Sequence, residues 1–140
     1  MNIKQEALEF IKSHKECVLA TASSEGKPEA ATVLFAIEDD FTMYFGTDKK
    51  YRKYKNLAEN KNVAVVVGVA VEEPMSAQIE GQMEFLDDTA EIEKTKEIFK
   101  EKNPAMVPFF KFPLVFMRLK PTWLRFLDET KSQEPFQIIP

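Results

Sequence analysis

The sequence predicts a mainly β domain with flanking helices, built as an antiparallel barrel of six or seven strands. Three observations predict it. Short β-prone runs joined by tight turns recur along the chain. Three stretches of helical periodicity stand isolated between them, placed to plug or cover a barrel. The run "NVAVVVGVAV" is apolar on both faces, so it needs cover on both sides, from a closed barrel packed by helices or from a partner subunit.

The elements follow in order. Ile3, Ala7, Phe10 and Ile11 recur at helical spacing, so residues 2–14 read as an amphipathic helix, with Asn2 and Gln5 as its capping box. "CVLATAS" is a strand, "SEGKP" a turn and "EAATVLFAIE" a second strand, together a hairpin. Asp39-Asp40 breaks the chain before "FTMYFGT", a third strand with Phe41, Met43 and Phe45 on one face. A helix over 48–59 comes next, with Thr47 or Asp48 as N-cap and with Tyr51, Tyr54 and Ala58 on its inner face and Leu57 at the margin of that face. "NVAVVVGVAV" is the fourth strand, ended by Pro74. "SAQIEGQMEF" alternates, with Ala77, Ile79, Gly81, Met83 and Phe85 pointing to the core. Asp88 with Glu91 caps a helix whose inner stripe is Ile92, Thr95, Ile98 and Phe99. "NPAMVPFFKFP" reads as a proline-limited loop, "LVFMRLK" and "TWLRFLD" as the last strands, and "ETKSQEPFQIIP" shows no period.

At 140 residues, with 44% hydrophobic content and 12 phenylalanines, the chain fits a single domain over 1–140. A formal net charge of -4 argues against broad attraction to nucleic acid or anionic membrane. The single cysteine, Cys17, excludes an internal disulfide and fits a reducing compartment. "MNIKQEALEF" lacks a signal core, and the longest apolar run has nine residues, too few for a membrane span. The expected location is cytoplasmic.

Against this acidic background, "GTDKKYRKYKNLAEN" gathers Lys49, Lys50, Arg52, Lys53 and Lys55. A solvated helix face accounts for such a cluster without any function. Helix physics favours a local anion site instead. Cations in a first turn oppose the macrodipole, at a cost of a few tenths of a kcal/mol each. A bound phosphate reverses that sign, because backbone N–H groups, dipole and cations then face one anion. Gly46 before the helix permits close approach. Nucleic acid is disfavoured, since no second basic stripe extends the surface.

The ordered series "VLATASSEGKPEAATVLFAI", "MYFGTDKKYRKYKNLAENKNVAVVV" and "SAQIEGQMEF" resembles the pyridoxamine 5'-phosphate oxidase-like, FMN-binding split-barrel superfamily over about residues 16–86. Its most specific element is "YRKYKNLAENKNVAVVV". The resemblance implies a six- to seven-stranded split barrel, and a homodimer with two FMN sites at the subunit interface. It also implies a flavin-dependent reductase or oxidase acting on a small molecule. By position, Arg52 and Lys53 match the pair that holds the flavin phosphate, and Gly46 and Thr47 match the strand end beside it. Thr32, Val33 and Leu34 match the segment that edges the flavin ring and ribityl chain. Ser76 and Gln78 fall near a position that supplies a polar contact from the partner subunit.

The departures are specific. Pyridoxamine-phosphate oxidases carry Arg and Lys where this chain has Ala31 and Ala36, and their C-terminal Arg-His signature is missing here. The resemblance therefore points to a small superfamily member that is not a genuine pyridoxamine-phosphate oxidase. Two alternatives stand beside the FMN reading: a deazaflavin cofactor, and a non-enzymatic dimer with a degenerate site. His14, the only histidine, is expected at the surface near a helix end, since it has no partners for a metal site. Cys17 is expected to be buried and inert, and Glu80 and Glu84 to lie on a solvated strand face. Trp123 and the phenylalanines of 109–116 are expected in the core or a dimer interface, a minority walling the flavin.

Overall fold

The computed structural model describes residues 2–68, 72–131 and 133–140. Helix α1 (Ile3–Lys12) opens the chain on the expected capping box: Asn2 accepts from the Gln5 backbone, and the Gln5 side chain accepts from the Asn2 N–H. Strands β1 (Glu16–Ala22) and β2 (Pro28–Leu34) form the hairpin. Then come β3 (Ala36–Ile37), β4 (Met43–Asp48), α2 (Arg52–Glu59), β5 (Asn62–Val67) and β6 (Met75–Phe85). Helix α3 (Thr89–Lys102) starts at Asp88, whose carboxylate accepts from the Glu91 N–H. A 3-10 segment (Pro104–Lys111), β7 (Leu114–Leu119), β8 (Trp123–Asp128) and β9 (Phe136–Ile139) complete the chain.

Among the described residues nine strands form one antiparallel sheet, ordered β2-β1-β5-β6-β7-β4-β3, with β8 on β6 and β9 on β8. The long strand β6 makes the curl possible. Its first part pairs with β5 and β8, and its last residues, Met83–Phe85, pair with β7. The sheet thereby rolls until β2 and β4 touch, yet no ladder joins them among the described residues. That seam is the split of a split barrel.

The barrel interior is filled by Phe35, Phe41, Met43, Phe45, Ile79, Met117 and Leu119, and α1 adds Ala7, Phe10 and Ile11. A second cluster, with Ala36, Tyr44, Phe99, Met106 and Phe116, seats α3 and the 3-10 segment against β3, β4 and β7. Tyr54 stacks on Phe85, with centroids 5.3 Å apart.

Several expectations are corrected. The second predicted strand divides at Phe35 into β2 and β3. The aromatic loop is 3-10 helical, because Pro104 ends α3 at Asn103 and Met106 anchors the new turn in the core. The tail forms β9, which a bulge between Leu124 and Arg125 and a mostly polar sequence conceal. Within one chain the fourth strand, apolar on both faces, is covered on one. Val63, Val65 and Val67 face inward, whereas Ala64 is exposed and Val66 only half-buried. The strand stops at Gly68, whose φ of +89 lies in the left-handed region; a Cβ there would stand 2.7 Å from the Met75 carbonyl. The portion of that predicted strand over 69–71 lies outside the described residues.

Candidate functional site

The helix after β4 starts later than the sequence predicts. Thr47 and Asp48 remain in β4, paired with Val115 and Leu114, so neither caps a helix. The Asp48 carboxylate accepts from the Lys50 N–H and closes a turn that holds Lys49 and Lys50. The N-cap is Tyr51, which makes no side-chain cap, and Arg52 and Lys53 are the first two helical residues. No acidic residue stands in that first turn. The inner face differs too: Leu57 is fully buried, whereas Tyr51 is 51% exposed and Ala58 faces solvent.

Side-chain amides fix α2 to the β1–β2 hairpin. Asn56 Nδ2 donates to Thr21 Oγ1 (3.1 Å) and to Glu29 Oε2 (3.2 Å). Asn60 Nδ2 donates to the Ser23 carbonyl, and its Oδ1 accepts from the Asn62 N–H. The two asparagines of "KNLAEN" therefore set where the helix start sits relative to β2.

A cleft of about 210 Å³ opens along the seam. Thr32, Val33 and Leu34 of β2 form one side, Gly46 and Thr47 of β4 the other. Lys53 and Tyr51 stand at one end, and Met106 and Phe109 roof it from the 3-10 segment. Six of the nine site residues expected from sequence meet in this one place. Strand β2 pairs only with β1, so its other edge leaves backbone groups facing the seam. Burial pushes the Lys53 ammonium below the usual lysine value, while the Glu29 carboxylate works in the opposite direction. The Lys53 Nζ lies 4.5 Å from the Tyr51 ring centroid. Gly46 has a packing reason beside the functional one: a Cβ there would stand 2.6 Å from Met106 Cε.

Arg52 points elsewhere. It lines the neighbouring hollow between the hairpin turn and α2, and its Nε lies 3.5 Å from Glu29 Oε2. Ser76 and Gln78 do not line this cleft. They lie on the outward side of β6, where Gln78 Oε1 accepts from Arg125 and borders a shallow hollow with Val18, Ala20, Ala64 and Trp123. Sequence reasoning missed Glu29 and Asn56, since each acquires its position through the α2–hairpin contact, and Tyr51, which it placed on the inner face of a helix begun at 48.

The other candidates resolve simply. His14 stands at the end of α1, as expected, though partly buried there: Nδ1–H donates to the Phe10 carbonyl of the last turn (2.9 Å) and Nε2 meets Glu73 Oε1 (2.9 Å). Burial pushes the Cys17 thiol up to about 12, so it is inert. Glu84 pairs with Arg118 across β6 and β7, while Glu80 is exposed. Ala36 is buried in one cluster with Tyr44 and Phe116. No group of metal-ligating side chains occurs among the described residues, and no helix there is long and apolar enough to cross a membrane.

Comparison with known proteins agrees with this architecture. A family profile described as pyridoxamine 5'-phosphate oxidase matches residues 3–128. No curated protein matches the chain. Among solved structures, General Stress Protein 26 from Bacillus anthracis superposes with a TM-score of 0.73 at 23% identity, covering 99% of this chain and 100% of that one. A protein related to general stress protein 26, of the pyridoxinephosphate oxidase family, from Clostridium acetobutylicum gives 0.75 at 13% identity over 97% and 93%. A heme binding protein from Mycobacterium smegmatis gives 0.78 at 14% identity, covering 98% of this chain and 59% of its own. At these identities the likeness concerns the fold.

Proposed function

Since the chain belongs to the pyridoxamine 5'-phosphate oxidase family, we propose that it is a homodimeric flavoprotein that binds FMN at the seam and acts as a reductase or oxidase on a small molecule. The observation that carries this reading is the convergence of Thr32, Val33, Leu34, Gly46, Thr47 and Lys53 on one cleft. The residues fit the group. The free edge of β2 offers backbone donors and acceptors to a planar heterocycle, Tyr51 and Phe109 supply aromatic surface, and Lys53 with the uncapped start of α2 suits a phosphate. When bound, FMN supplies the redox chemistry, and the chain's part is to bind, orient and exclude water. That division explains the lack of an acid–base constellation in the sequence.

The cleft's 210 Å³ falls below the roughly 300 Å³ at which ligand pockets of this class begin. One protomer therefore covers only part of the flavin, and a second copy completes the wall. The outward face of β1, β5 and β6, with Val18, Ala20, Ala64 and Val66 and with Gln78 at its border, is the surface for that copy. Ser76 and Gln78 then act across the interface.

FMN titration of the purified protein is expected to quench flavin fluorescence and give a bound visible absorption band; free flavin at every ratio would refute the cofactor assignment. Sedimentation is expected to give a dimer. Ala64→Arg, which sets a charge on the exposed face, is expected to yield monomers that hold FMN at least about tenfold more weakly. Monomers of unchanged affinity would refute the shared site.

Flavin is favoured over a histidine-ligated haem, because both ring nitrogens of the single His14 are already engaged. The second reading, a non-enzymatic dimer with a degenerate site, draws on Ala31 and on the diversion of Arg52 toward Glu29. Reduction of the bound flavin by NAD(P)H separates the two, and a parallel titration with a deazaflavin tests the remaining cofactor.

A further inference from the structure

Strand β2 alternates so that Glu29, Ala31 and Val33 share the half-buried side, while Pro28, Ala30 and Thr32 are exposed. Glu29 therefore stands on the side that meets α2. Its carboxylate is 21% exposed and is held on a prepared bed: Asn56 Nδ2 donates to Oε2, and the same amide bonds Thr21, the residue paired with Glu29 across the hairpin. Arg52, by contrast, is 80% exposed and reaches this fixed anion with its Nε 3.5 Å away. No cation stands at Ala31, one strand period on, to offset the charge.

We propose that Glu29 sets the ligand preference of this site: its carboxylate is a resident counter-ion that a ligand's phosphate has to displace from Arg52. The inference rests on the flavin-phosphate reading above. Arg52 and Lys53 supply two positive charges at the start of α2, and Glu29 cancels one of them. A phosphate monoester, carrying close to two negative charges at neutral pH, meets a half-neutralised site and a like charge beside it. An unphosphorylated flavin makes no demand on Arg52 and is indifferent to Glu29. The Lys53 ammonium also senses the Glu29 carboxylate, which places both helix-start cations within its field.

Glu29→Gln is the discriminating variant, because the amide oxygen still accepts from Asn56 while the charge is gone. FMN and riboflavin affinities are measured by fluorescence quenching for the unmodified protein, Glu29→Gln, Arg52→Ala and the double variant. Glu29→Gln is expected to bind FMN about five- to tenfold tighter and riboflavin within about twofold of the unmodified protein. In the Arg52→Ala background the gain is expected to shrink below about twofold, since the carboxylate acts through that guanidinium. Equal gains for FMN and riboflavin, or no gain for FMN, overturn the proposal while FMN binding to the unmodified protein leaves the flavin reading intact. Failure of FMN to bind either protein overturns both. Binding to Glu29→Gln alone supports the role of Glu29 and overturns FMN as the cofactor of the unmodified protein. Glu29→Ala, carried in parallel, gives the same sign if the glutamine variant folds poorly.

Discussion

Replacing Arg52 and Lys53 together by alanine is expected to weaken FMN binding by two to three orders of magnitude, and riboflavin binding hardly at all. A hydrogen bond to a charged group contributes about 1.5–3 kcal/mol, and two such contacts to one phosphate give that range even after Glu29 has offset part of the charge. Replacing Lys49 and Lys55 is expected to cost less than about fivefold, because exposed charges outside contact act only through a screened potential. The geometry makes the contrast sharp. Arg52 and Lys53 open α2, whereas Lys49 sits in the preceding turn and Lys55 borders the hollow beside the hairpin. Lys53 is the more constrained of the pair, being partly buried at the cleft and packed over Tyr51. Its single replacement should therefore cost more than that of Arg52. Equal losses for the two double variants would mean a diffuse potential rather than a phosphate contact, and parallel loss of riboflavin would mean a damaged cleft.

Periodicity exposed most of the frame. The inner residues of β6 alternate as read, and the stripe Thr95, Ile98 and Phe99 of α3 is buried. Two of the three predicted caps, at Asn2 and Asp88, are present because capping is a local interaction between residues three apart. What the sequence concealed depends on distant contacts. β9 exists only because β8 is there to pair with it, and α2 starts at Arg52 because β7 keeps Thr47 and Asp48 in β4. The same division applies to the site. The seam residues could be placed by family position, since the family profile spans them. Glu29 could not, because in sequence it is one polar residue after a turn, and its contact with Arg52 is long-range. The exposure of Ala64 and Val66 on β5 is informative in another way. Sequence demanded cover on both faces, one chain covers one face, and the remainder is what a second copy would supply.

Asn103→Ala is expected to destabilise the protein by about 2–4 kcal/mol, the largest stability effect of any single polar replacement outside the cleft. Asn103 is 2% exposed, and its Nδ2 donates to two carbonyls, Lys15 (2.9 Å) and Phe35 (2.8 Å). Those carbonyls lie just before β1 and just after β2, so the amide braces the open end of the hairpin, beside the bond from the Phe35 N–H to the Lys15 carbonyl, and ties it to the end of α3. Alanine takes the amide donor from the buried Phe35 carbonyl and one of two donors from the Lys15 carbonyl, which still accepts from the Phe35 N–H, and a buried acceptor that loses its donor costs more than the bond itself contributes. For a chain of this size the loss corresponds to a drop of roughly 8–15 °C in the thermal midpoint. Asn103→Asp is expected to be at least as damaging, since it sets a carboxylate against two carbonyl oxygens. The effect should reach the site as well. Asn103 precedes the 3-10 segment that carries Met106 and Phe109, and the Met106 N–H donates to the Asn103 carbonyl. Loosening this junction frees the roof of the cleft, so FMN and riboflavin affinity should fall together, in contrast to the phosphate-specific loss at Arg52 and Lys53. A variant that melts normally, or that loses FMN but keeps riboflavin, would show that the roof is held by its own packing rather than by Asn103.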